Sequence, residues 1–172
     1  MVKKQSKSRA AHKNSWYAVA LARILLGFIF LWAFLDKTFG LGYATASASA
    51  WVNGGSPTTG FLKMGVNPDS PFASFFNGLA GNGIVDLLFM LGLLGVGTAL
   101  ILGIGLRIAA VGGGVLVIMM WAALLPLENN PIIDDHIVYA SLLLIIAAMP
   151  RAWSLSDWWI KQDVVKNNKW LW

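Results

Sequence analysis

The residues best equipped for chemistry stand together at Asp134-Asp135-His136, with Tyr139 three positions further on. Imidazole titrates near neutral pH, so a histidine beside carboxylates can take up and deliver protons, and a phenol on a neighbouring helical face adds a donor. Reduction of a quinone needs protons as well as electrons, which makes the cluster a candidate proton-handling site for a quinone head group. A second set, Asp36-Lys37 with Trp32 one turn earlier, and Arg23 deeper in the same apolar run, offers groups that would hold a quinone or an anion. Each has a plainer reading. Acids at a helix N-terminus complement its dipole, which accounts for Asp86, Asp134 and Asp135. Arg23 either lines a bundle interior or snorkels to the nearby interface. No metal is expected: cysteine is absent and His12 lies far from His136 in the chain, leaving one imidazole with carboxylates.

Apolar segments must position these groups. With 57% hydrophobic and 12% charged residues, the chain is too apolar for an ordinary soluble domain. Its apolar runs approach the ~20 residues that cross a bilayer core. The runs at 16–38, 84–103, 108–125 and 132–149 predict an all-α fold, an integral membrane four-helix bundle forming a single domain over 1–172. Gly103 and Gly105 with Arg107 mark a tight hairpin, Pro126 and the polar turn Glu128-Asn129-Asn130-Pro131 separate the last two runs, and Pro150 closes the fourth. Gly95, Ala99 and Gly103 recur every four residues and predict a close helix–helix contact. Gly112-Gly113-Gly114 is read as packing and not as a phosphate loop, since neither strand nor lysine accompanies it.

The connection 40–83 is rich in Gly, Ser, Thr and Pro but carries Trp51, Phe61, Phe72, Phe75 and Phe76, so it is expected to cap the outer mouth with short interfacial helices. The tail 150–172 holds Trp153, Trp158, Trp159, Trp170 and Trp172, and is read as lying along the inner interface, with a docking surface for a soluble partner as the alternative.

Orientation follows from the basic residues. Lys3, Lys4, Lys7, Arg9 and Lys13 in the arm 1–15, Arg107 in the hairpin, and Arg151, Lys161, Lys166 and Lys169 in the tail fall on one side, against Lys37 and Lys63 on the other. The positive-inside rule then places both termini in the cytoplasm. The same rule accounts for the basic balance without nucleic acid as a partner. A cleaved signal peptide fits poorly, because the first apolar run exceeds the usual h-region of about 7–15 residues and ends in Asp36-Lys37, well before Ala46-Ser47-Ala48.

Four stretches resemble the DoxX/DoxD-like family of small four-helix membrane proteins: Arg23-Ile-Leu-Leu-Gly27 with Asp36-Lys37; Asn53-Gly-Gly-Ser-Pro-Thr-Thr-Gly-Phe-Leu62; Gly103-Ile-Gly-Leu-Arg107; and Asn130-Pro-Ile-Ile-Asp-Asp-His-Ile-Val-Tyr139. The last is the most specific. The resemblance implies a membrane subunit of thiosulfate:quinone oxidoreductase type, in a bacterial or archaeal cytoplasmic membrane, with quinone as diffusible substrate and a second, smaller subunit as partner. His136, Asp135, Asp134 and Tyr139 are then the expected catalytic residues. Arg23, Trp32, Asp36 and Lys37 are the expected substrate- or quinone-binding residues, and the absence of cysteine excludes a persulfide carried on this chain. Two other classes remain open: a non-enzymatic accessory subunit of a larger respiratory complex or homo-oligomer, and a small transporter using Arg23 and the acidic mouth as a path.

Overall fold

The computed structural model describes residues 2–149 and 151–172, with side chains from residue 14 onward, so Pro150 and the side chains of the basic arm, His12 included, lie outside the described residues. Four helices carry the fold: α1 (Val2–Phe39), α3 (Gly83–Leu102), α4 (Leu106–Leu124) and α5 (Asp135–Ala148), with the six-residue α2 (Ala73–Gly78) in the connection after α1. Short helices α6 (Ser156–Trp159) and α7 (Asp163–Lys166) follow, then a final turn at Lys169–Leu171. The described residues form no strand.

Three segments are long and apolar enough to cross a membrane: Asn14–Phe39, Gly83–Leu102 and Leu106–Leu124. Their outward faces carry Leu21, Leu25, Phe28, Leu88, Leu91, Val111 and Val115, all exposed. A soluble bundle would pair such faces with polar residues, whereas hydrocarbon solvates them without cost. The chain is thus a helical protein of membrane character.

The fourth apolar run departs from its expected limits. It enters the helix only at Asp135, because Asn130 Oδ1 accepts from the N–H groups of Ile132 and Ile133 (both 2.9 Å) in a turn, and Asp134 then caps the helix. The 14 residues of α5 span about 21 Å at ~1.5 Å rise each, short of the ~30 Å hydrocarbon core. The first helix departs in the other direction, running back through the basic arm to Val2.

α1 packs chiefly on α3 and α4 on α5, with α3 against α4 joining the pairs. Small residues set the closest approach, as membrane helices require, and of the glycines in the Gly95 repeat Gly103 takes part, against Ser154 and Arg23, while Gly95 does not. A Cβ on Gly95 would meet nothing within 4 Å, whereas one on Gly97 would lie 2.7 Å from the Leu31 backbone nitrogen and one on Gly27 2.9 Å from Leu100 Cβ. The backbone approach to α1 is therefore at Gly97, two residues on from Gly95. Leu26, Phe30, Met90, Val96, Leu100 and Leu143 form the central core, and a second cluster of Leu62, Val66, Phe76 and Ala123 seats the long connection on the C-terminal end of α4.

Candidate functional site

Polar residues buried in this apolar frame fall into two kinds, and hydrogen-bond accounting separates them. Arg23, 2% exposed, points inward. Its guanidinium donates to the carbonyl oxygens of Leu100 and of Ile101 (3.1 Å) at the C-terminal end of α3, and to those of Ala152 (3.2 Å) and Trp153 (2.7 Å) after α5. A cation at a helix C-terminus meets carbonyls that have no intrahelical partner. Arg23 thus clamps three segments through backbone, about 20 Å along α1 from Asp36 at ~1.5 Å per residue, and does not join the outer residues.

Asp36 is equally buried, and its carboxylate accepts from the N–H groups of Tyr43 (3.3 Å) and Ala44 (3.0 Å), which turns the chain back over the end of α1. Asp86, also buried, accepts from Ser56 Oγ (2.9 Å), Thr58 Oγ1 (2.6 Å) and Thr58 N–H (3.2 Å), pinning the start of the connection to α3. The N-cap of α3 is Asn82, whose side chain accepts from Ile84 and Val85, so Asp86 serves the loop rather than the helix terminus. Ser56 and Thr58 fall within the stretch Asn53–Leu62 that carries the resemblance, but nothing in the sequence marks them as partners of Asp86. Trp32 stacks on Phe28 (5.9 Å between ring centres) and meets Tyr43 edge-on (5.1 Å).

Lys37 is different. Its ammonium sits 5.9 Å over the Phe89 ring, and among the described residues no carboxylate pairs with it. It opens into a cavity of about 540 Å³ between α3, α4 and the connection, with Thr58 near it and walls of Phe61, Leu88, Phe89, Val115, Met119 and Met120. Leu88, Val115 and Met119 are exposed on the outer faces of their helices, so the cavity opens sideways toward the surface that faces lipid. The sequence marks Lys37 by type, whereas the other wall residues read as ordinary span and loop positions, so the chamber itself has no signature there.

A second cavity of about 620 Å³ lies on the other side of the short helical turn Phe61–Gly65, lined by Met64, Asn67, Leu127, Glu128, Asp134 and Asp135 among others. Beside it His136 Nδ1 approaches Asp134 Oδ2 at 2.7 Å and Asp135 Oδ1 at 3.3 Å. In the tautomer whose Nδ1–H donates to Asp134, Nε2 is the acceptor nitrogen of His136. Asp134 also caps α5, accepting from the N–H groups of His136 (3.1 Å) and Ile137 (3.3 Å). One ligand atom from each of Asp134, Asp135 and His136 lies within 4.8 Å of the others, the set that would hold a cation, although the cap and the imidazole already engage Asp134. Tyr139, one turn on, packs against the central core.

The expected site is thus divided: Lys37 heads an apolar chamber, the Asp134–His136 cluster borders a more polar one, and neither cavity is lined by residues of the other set. No protein-family model, curated protein or solved structure matches the chain.

Proposed function

We propose that the chain is a membrane subunit of a quinone-linked oxidoreductase, of the DoxX/DoxD-like kind, and that the chamber headed by Lys37 receives the quinone. The observation that carries this is the pairing of an apolar, side-opening cavity with an ammonium that makes no direct ion pair among the described residues. Its volume lies in the range of about 300–1,000 Å³ common for small-molecule sites. A quinone is an apolar chain bearing a flat head of two carbonyl oxygens. Lys37 would donate to one of them and stabilise the negative charge that develops there on reduction, more strongly in this apolar setting than in water. The chain of the quinone would leave between Leu88 and Val115, and a quinone would diffuse in by the same route from the membrane.

The electron donor favoured by the resemblance is thiosulfate: two thiosulfate ions give up two electrons and join as tetrathionate, while the quinone takes those electrons with two protons and becomes quinol. The Asp134–His136 pair on the polar side of the Phe61–Gly65 turn is placed to exchange protons with water. Four crossings with both ends in the cytoplasm of a bacterial or archaeal cell suit this reading. The basic residues favour that orientation, and α5 runs from the cavity beside Leu124 to the segment that bonds the C-terminal end of α3, its short helix extended by residues 131–134.

The test is quinone reduction by thiosulfate in membranes holding the protein with its genomic neighbours. Lys37→Met is expected to lower the rate at least tenfold with the protein still inserted, and His136→Ala to lower it less. No activity in the wild type under these conditions would leave the accessory-subunit reading as the better one.

A further inference from the structure

The end of the bundle opposite the cavities carries two arginines that nothing in the proposed chemistry uses. The α3–α4 turn and the segment after α5 meet there. A Cβ on Gly103 would fall 2.3 Å from Ser154 Cβ, and Leu155 N–H donates to Leu102 O (2.9 Å). Arg107 stands at the start of α4, donating from Nη1 to Lys169 O (2.9 Å) and lying 6.0 Å from the Trp172 ring. Arg151 lies three residues before Ser154, whose hydroxyl donates to the Arg151 carbonyl (2.7 Å). Among the described residues no carboxylate pairs with either guanidinium.

We propose that Arg107 and Arg151 together hold the phosphate of an anionic phospholipid. The Gly103–Ser154 approach and the Leu155–Leu102 bond bring the start of α4 and the segment after α5 to one junction, and the lowered pKa of Arg151, set first by partial burial and then by the charge of Arg107, agrees with that placement. Arginine remains protonated regardless, so deprotonation cannot relieve the juxtaposition. An anion can, and a phosphodiester accepts from two guanidinium forks at once. The surroundings favour a lipid over a free ion. Trp153, Trp158 and Trp170 are exposed around the junction, the depth at which indole sits among headgroups, and Ile108 and Val111 beside Arg107 expose an apolar track for an acyl chain. The proposed orientation enters only in assigning the lipid to the cytoplasmic leaflet.

Protein purified in a neutral detergent and titrated with phosphatidylglycerol or phosphatidylcholine, with bound lipid counted by native mass spectrometry, tests this independently of any quinone. The wild type is expected to bind phosphatidylglycerol at least tenfold more tightly. Arg151→Gln should lower that affinity at least fivefold while leaving phosphatidylcholine binding unchanged, and Arg151→Lys, which keeps the charge but not the fork, should fall between. Equal wild-type affinity for the two lipids, or an undiminished preference in the Arg107→Gln/Arg151→Gln protein, overturns the site. Displacement of the lipid by millimolar inorganic phosphate overturns the lipid assignment in favour of a soluble anion. Because the lipid comparison is made on the wild type, a poorly folding variant does not blunt the test.

Discussion

The two ends of the α1–α3 pair treat buried charge in opposite ways. At the tail end Arg23 spends its donors on carbonyls of α3 and of the segment after α5. At the other end Asp36 and Asp86 are similarly consumed by backbone and hydroxyl donors of the long connection, but Lys37, the immediate neighbour of Asp36, is left facing an apolar chamber. A buried charge that is fully hydrogen-bonded to backbone acts as a fastener, because its removal strands several polar groups at once. One that faces a cavity without a direct ion pair costs stability where it stands, and a ligand that accepts from it offsets that cost.

Substitutions can break or sharpen this contrast. The largest loss is expected from Arg23→Met, which strands the carbonyls of four residues and should cost about 3 kcal/mol or more in unfolding titrations in detergent, with proteolysis of the tail appearing first. Next comes Gly103→Ala. Gly103 has φ +69° and its missing Cβ would fall 2.7 Å from Arg23 Nη1, so a loss of about 2 kcal/mol is expected from both backbone strain and displacement of the clamp. Asp86→Ala should cost about 2 kcal/mol as well, but locally, read as faster hydrogen exchange at Ser56–Thr59 with the tail unchanged. The smallest effect on stability belongs to Lys37→Met, within about 1 kcal/mol in either direction, because an isosteric apolar side chain suits the chamber. Its effect on quinone-analogue affinity should instead be at least tenfold. A Lys37→Met protein as unstable as Arg23→Met would erase the contrast.

The sequence read the helices well where apolar runs end at glycine, as at Gly103 and Gly105, whose positive φ values close α3 and open α4. It read the last helix less well, because Asn130 and Asp134 act through side-chain acceptors on their own backbone, and the apolar Ile132-Ile133 between them looks like span. Arg23, Asp36, Lys37 and Asp86 stood out by type alone, since ionisable residues in apolar runs are conspicuous. Their roles did not. Whether a carboxylate meets a loop amide or a ligand depends on where residues 43, 44, 56 and 58 return after a long connection, and hydrophobic periodicity carries no information on that. The Gly95 repeat is only partly informative for a related reason, as a four-residue spacing defines a stripe but not the partner it faces.

The central claim is that the ligand site is the apolar chamber of Lys37 and not the polar pocket of Asp134 and His136. Photolabelling with an azido-quinone in membranes, followed by peptide mapping, addresses it directly. Label is expected on Pro57–Leu62 and Val115–Met120, and should be lost from both in Lys37→Met. Label concentrated on Glu128–His136, unaffected by Lys37→Met, would contradict the account.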